Sequence, residues 1–244
     1  MAIFAHTSVG AMASSNRCIV NVGLGGWYPK GSERLRSTLA EVGEDANQFI
    51  YIDRLPVGAV PHTENMYAFK AVALQRAANY GYTKLLWLDS SIYARKRLTD
   101  IWDKIDRDGY YFVDNGFNLA QTASNRLLNA FGINRDLAEQ VPEITTCCFG
   151  LDIGTERGMA VLNQFAHTAQ QGLFNGNRVH DPTDSEDPRF LFCRHDQSAM
   201  SLIADLFHMK PNGRYSELLA YRHDDNGVTR DLPESVCVVN WGHV

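Results

Sequence analysis

Two clusters of polar residues carry most of the chemistry that can be read from this chain. The first follows Leu85-Leu86-Trp87-Leu88, where Asp89, Ser90 and Ser91 stand directly behind an apolar run. Such a run reads as a fully buried strand, which places Asp89 at the strand's carboxyl end. Ligands of open α/β sheets bind outside that edge. An unpaired carboxylate beside a core is costly, so Asp89 needs a cation or a hydroxyl donor, unless it caps the following turn. Ser91 stands where a second carboxylate would complete a D-x-D metal clamp. Its hydroxyl can ligate a metal or a bound water, but it brings no charge.

The second cluster is Arg194-His195-Asp196-Gln197-Ser198. Asp196, Met200, Ile203 and Phe207 share one helical face, so Asp196 points inward at the helix start. Free N–H groups and the helix dipole favour a carboxylate there. A simple N-cap would look the same, but four consecutive polar side chains exceed what a cap requires. Lys70 lies one turn after Met66 beside an apolar stripe. Its ammonium either snorkels to solvent or reaches a phosphate or sugar oxygen. The turn Gly23-Leu24-Gly25-Gly26 is either plain or lets a ligand approach the backbone closely. Pro29 and Lys30 follow it, so the G-x-G-x-x-G dinucleotide fingerprint is not met, although Asp53 stands where a ribose-binding acid would. His243 near the chain end, with His223 as competitor, could serve a metal. Cys147-Cys148 reads as packing.

These residues need a scaffold, and the hydrophobic pattern supplies one. Strands are expected at 18–22, 49–53, 85–88, 110–113, 145–151 and 236–240. Helices are expected at 32–42, 64–80, 98–105, 124–132, 135–139, 156–171 and 196–208. Gly81 stops the second helix. The β-α-β-α-β order of the first half implies parallel strands with right-handed crossovers. Residues 172–189 form a polar loop long enough to be a lid or binding loop. The expectation is an α/β fold, with a mixed, mostly parallel Rossmann-like sheet and helices on both faces. It forms a single domain over 1–244, with halves at about 18–113 and 114–244.

The 244 residues are 45% hydrophobic, enough for one large core. With 23 basic against 28 acidic residues, affinity for a nucleic acid backbone is not the main function. Five cysteines without a C-x-x-C pair speak against a disulfide framework or zinc knuckle and for a reducing cytoplasm. The amino-terminal stretch is too polar for a signal peptide, and no run reaches membrane-spanning length.

Taken in order, several pieces resemble a GT-A-type glycosyltransferase of the nucleotide-diphosphosugar transferase superfamily. They are the strand and glycine turn near Val22, Asn65-Met66-Tyr67-Ala68-Phe69-Lys70, Tyr80-Gly81-Tyr82, Leu86-Trp87-Leu88-Asp89-Ser90-Ser91-Ile92 and His195-Asp196-Gln197-Ser198. The resemblance covers roughly residues 18–210. It implies transfer of a hexosyl or pentosyl group from a nucleotide-diphosphate sugar to a hydroxyl. It implies Mn²⁺ or Mg²⁺ on Asp89 and Ser91 with His243 as terminal ligand, and Asp196 as the later acid facing sugar or acceptor. Catalysis would rest on Asp196 and Asp89. The donor would be met by Gly23, Gly25, Asn65, Lys70, Asp89, Ser90, Arg194, His195 and Gln197. The acceptor would be met by Asp114, Asn115 and the helices within 120–143. A glycan or small molecule is the expected acceptor ahead of a modified DNA base, for which Arg95-Lys96-Arg97 is the basic candidate. The rival is a non-catalytic nucleotide- or sugar-binding module of the same fold, favoured by Ser91.

Overall fold

The computed structural model describes residues 16–223 and 228–241. The chain runs β1 (Arg17–Gly23), α1 (Tyr28–Glu41), β2 (Asn47–Ile52), α2 (Ala68–Asn79), β3 (Lys84–Leu88), β4 (Ile92–Ala94), α3 (Thr99–Asp108) and β5 (Tyr110–Asn118). It continues α4 (Leu119–Thr122), α5 (Asn125–Ala130), α6 (Arg135–Ala138), β6 (Pro142–Asp152), α7 (Glu156–Gln170), α8 (Asp196–Leu206), β7 (Gly213–Arg214), β8 (Leu219–Tyr221) and β9 (Val238–Asn240). A six-stranded sheet has the order β2-β1-β3-β6-β5-β7, and a small sheet has the order β4-β9-β8.

Strands β1, β2 and β3 are parallel, as the alternating first half implies. β6 enters antiparallel between β3 and β5, so the sheet is mixed. Alternate side chains of a strand face opposite sides, and the core divides accordingly. Val20, Leu85 and Trp87 face the helices α2, α7 and α8. Ile19, Leu86 and Leu88 face α1 and α3. Helices therefore cover both faces of the sheet.

Two boundaries differ from the sequence pattern for local reasons. α1 begins at Tyr28, with Pro29 in its first turn, where a missing N–H goes unused. α2 begins at Ala68, four residues later than expected. The Pro61 carbonyl accepts from the N–H groups of Glu64 and Asn65, and that turn occupies the segment instead. The strands β4, β7 and β8 are two or three residues long, too short to show a period. Among the described residues, no helix is long and apolar enough to cross a membrane.

Candidate functional site

Burying the apolar run of β3 brings Asp89 to the carboxyl edge of the parallel strands. Its backbone N–H donates to the Cys147 carbonyl on β6 at 2.8 Å. Its Oδ1 accepts from the Trp87 indole N–H at 2.6 Å. The same oxygen lies 3.0 Å from Lys70 Nζ. Lys70 sits in the first turn of α2 and is 2% exposed. Its ammonium also lies 2.9 Å from Asp196 Oδ2 and donates to the Thr146 carbonyl at 3.2 Å. An ammonium has three donors, and these three acceptors take all of them. The rings of Tyr67 and Trp87 stand 5.2 and 5.3 Å from Nζ, close enough for cation–π attraction. Burial alone would lower the ammonium's pKa; Asp196, and then Asp89, outweigh it and hold it above its ordinary value.

Asp196 begins α8 and faces inward, 3% exposed. The Thr146 hydroxyl donates to its Oδ2 at 2.8 Å. Lys70 thus joins the two acids that the sequence pattern places far apart. Behind them lies Glu143 on β6, fully buried. It accepts from Gln197 Nε2 at 2.8 Å, from the Ser198 hydroxyl at 3.2 Å and from Asn115 Nδ2. Arg194 Nε lies 3.9 Å from it. Gln197 Oε1 in turn accepts from the Thr146 N–H at 3.3 Å. Sequence reasoning missed Glu143. The available signal was a charge inside a stretch that is otherwise apolar or threonine, residues 141–151.

His195 precedes Asp196 with φ 56° and is 4% exposed. Its Nδ1 lies 3.0 Å from the Phe174 carbonyl. A carbonyl only accepts, so Nδ1 carries the proton. Nε2 is then a buried lone pair with no protein partner. Burial lowers the pKa of this imidazole against the opposing pull of Asp196, which keeps the ring neutral. Tyr67, another residue with positive φ, tilts its ring 5.3 Å from that of His195.

Two cavities meet at this cluster. One, of about 330 Å³, is lined by Thr146, Phe192, Arg194, His195, Asp196 and Tyr221 among others. The other, of about 640 Å³, is lined by Leu24, Trp27, Tyr28, His62, Ser90 and Ser91 among others. Tyr67, Lys70, Asp89, Arg178 and Asn240 line both. Trp27 and Tyr28 are stacked at 4.5 Å on the larger cavity's wall.

The remaining sequence candidates are distributed unevenly. Ser90 turns into a buried network, its hydroxyl 2.9 Å from that of Ser32 and 3.2 Å from the Val22 carbonyl. Gly23 serves helix packing, since a Cβ there would lie 2.1 Å from Ser32 Oγ. Gly25 has φ 69° and open space around it. Asn65 reaches away to the Ala169 carbonyl at 2.7 Å. Asp114 accepts from the Gly116 N–H in a turn, and Asn115 serves Glu143. His243 lies outside the described residues. His223 pairs with Thr229 across an isolated bridge. Arg178, which sequence reasoning did not select, reaches both cavities.

The donor set at Asp89 can be tested against a divalent ion. Asp89, Ser91 and Asn240 line one cavity, and oxygen donors of these residue types suit Mg²⁺ or Mn²⁺. Among the described residues, no group of three or more His, Cys, Asp or Glu side chains gathers for a metal. With Asp89 as its one carboxylate, the set would suit only an ion that draws most of its shell from phosphate oxygens and water.

No family model matches this chain, and no curated protein does. Solved structures do. A glycosyltransferase involved in the glycosylation of the major capsid of PBCV-1 aligns with TM-score 0.50 and 13% identity, over 92% of this chain and 91% of its own. The bifunctional glycosyltransferase WbbM aligns with TM-score 0.54 and 9% identity, over 96% of this chain and 47% of its own. The chain has the fold of these glycosyltransferases.

Proposed function

We propose that this chain transfers a sugar from a nucleotide-diphosphate sugar to an acceptor hydroxyl. The observation that carries the reading is the clamp of Lys70 on Asp89 and Asp196, where two cavities meet at the sheet's carboxyl edge. A transferase must hold donor and acceptor on either side of one reacting carbon, and the two cavities suit that need. The larger one, with its stacked Trp27 and Tyr28, takes the nucleotide. The smaller one takes the acceptor, so the donor half is about 18–113 and the acceptor half about 114–244.

Asp89 orients the donor at the sugar–diphosphate junction. Asp196, fixed by Lys70 and Thr146, holds sugar hydroxyls through its remaining acceptor capacity. His195 offers its Nε2 lone pair to a hydroxyl, with Phe174 fixing the tautomer. Asp89 and Ser91 would hold Mn²⁺ or Mg²⁺, with His243 as a further ligand, and the ion would neutralise charge on the leaving diphosphate. A glycan or small molecule is favoured as acceptor. Lys96 and Arg97 of the basic triplet pair with Asp100 and Asp45, which leaves little free charge for a nucleic acid.

The test is nucleotide release from UDP-, GDP-, CMP- and TDP-sugars, with Mn²⁺, Mg²⁺ or EDTA, and with Asp89→Asn as control. Release from one donor, lost in the variant, supports the transferase. Release that survives EDTA removes the metal from the reading. Donor binding without release, even with an acceptor panel, favours the non-catalytic module. No binding and no release refutes both.

A further inference from the structure

The proposed reaction leaves a diphosphate at the meeting point of the cavities, and the resident charges there oppose it. Lys70 is one ammonium against two carboxylates, and all three of its N–H donors are taken. It has no donor left for a phosphate oxygen, and the triad carries net negative charge. Arg194 lines only the smaller cavity, stacks on Phe192 and leans toward Glu143. Arg178 shares the aromatic contact but differs in reach and pairing. It lines both cavities, is exposed, and pairs with no carboxylate among the described residues. Its guanidinium lies 5.5 Å from the centre of the Tyr67 ring.

The backbone that presents Arg178 is pinned on three sides. Asn175 Oδ1 accepts from the Met66 N–H at 2.9 Å, just before Tyr67. The Asn177 N–H donates to Asp184 Oδ2 at 2.7 Å, and its carbonyl accepts from the Cys193 N–H at 2.7 Å. Gly176 permits this closeness, since a Cβ there would lie 2.4 Å from Cys193 Sγ. The long polar loop is thus stapled immediately before Arg178, which leaves the side chain as the adjustable part. A guanidinium offers five donors in a planar fork that matches phosphate oxygens.

The geometry points to Arg178 as the residue that binds the donor's diphosphate and stabilises it as the leaving group. This assignment rests on the transferase reading. As the bond from the anomeric carbon to the phosphate oxygen breaks, its electron pair passes to that oxygen. The acceptor oxygen forms the new bond to carbon, and its proton leaves to a base or solvent. Arg178 donates hydrogen bonds to the departing oxygens and undergoes no covalent change.

Calorimetry on the full chain tests this with UDP, GDP, TDP, the matching nucleosides and inorganic pyrophosphate. Wild type is compared with Arg178→Ala and Arg178→Lys, with thermal melts confirming that each variant folds. The expected result is that Arg178→Ala weakens one nucleoside diphosphate roughly 10- to 100-fold and leaves its nucleoside unchanged. Arg178→Lys should recover part of the loss, and pyrophosphate affinity should fall in parallel. Equal nucleoside diphosphate affinity in wild type and Arg178→Ala overturns the assignment while leaving the transferase standing. An equal loss for nucleoside and diphosphate also overturns it, by making Arg178 a base-site residue. If wild type binds no nucleoside diphosphate, the transferase reading falls and this assignment falls with it.

Discussion

Replacing Lys70 with methionine should destabilise the fold by about 3–5 kcal/mol, the range for removing one partner of a buried ion pair. Methionine keeps the side chain's length, so no large cavity adds to the loss. The Asp196 side chain is 5% exposed and carries most of the effect, while that of Asp89 is 31% exposed and is partly screened. A second route gives a similar figure. Both carboxylate oxygens lie within 3.0 Å of Nζ and are therefore under about 6 Å apart. Their repulsion without the ammonium is about 3 kcal/mol at an effective dielectric of about 20. The Lys70 pKa is raised in the fold, so its contribution is complete below the ordinary lysine value and fades only as pH rises through the higher folded value. The deficit of Lys70→Met should therefore be flat between roughly pH 6 and 9. Urea titration reads it as a lower midpoint with unchanged slope. A companion Asp196→Asn change should cost far less in the Lys70→Met background than in wild type. A deficit below about 1 kcal/mol, or strict additivity of the two changes, would refute the buried-clamp argument.

Three further outcomes follow from neighbouring groups. Glu143→Gln turns an amide N–H₂ toward side chains that donate to the carboxylate, and should lower stability by about 1–3 kcal/mol in thermal melts. Turnover should fall along with it, because Gln197 and Thr146 lose their anchor. His195 is held below its ordinary 6.5 by burial, so its share of stability is present above that value and lost as pH falls through the folded one. A His195→Gln variant should show a flatter stability profile between roughly pH 7 and 5 in denaturant titrations at each pH. Gly23→Ala forces a Cβ against Ser32 Oγ and, at 2.5 Å, the Tyr28 carbonyl, for a loss of about 1–3 kcal/mol. Gly25→Ala meets nothing within 4 Å and should lose only about 1–2 kcal/mol, for its positive φ.

The parts of the fold and site that could be read from sequence are those with local causes. The run before Asp89 is apolar over four residues, and burial alone then dictates where the acid emerges. The helical spacing of Asp196 with Met200 and Ile203 likewise dictates its inward direction. The parallel start of the sheet follows from alternating strand and helix signals. What could not be read depends on partners distant in sequence. Nothing near Lys70 reveals that Asp196 and Thr146 will occupy its donors. Ser90 borders the larger cavity, but nothing near it in sequence reveals that its hydroxyl will meet Ser32 and the Val22 carbonyl. Glu143 was hidden because the strand signal begins at Thr145, whereas β6 starts at Pro142. Arg178 sits in a polar loop whose rigidity comes from Cys193, Asp184 and Met66, none of which forms a motif with it.

The reversed direction of β6 bears on when this chain becomes competent during its own synthesis. The strand carries the Thr146 carbonyl to Lys70 across 76 positions, and the Thr146 hydroxyl to Asp196 across 50. A nascent chain that has released only β1 to β3 holds Lys70 and Asp89 without the acceptors that complete the ammonium's shell. Such distant pairings form slowly because the intervening loop must close first. The ammonium is sealed in place only once α8 has left the ribosome and docked on β6. No fragment ending before α8 should therefore show a trace of the proposed transfer. A bisubstrate analogue that joins donor to acceptor across both cavities should protect backbone amides in β1, β6 and α8 together, as one cooperative unit.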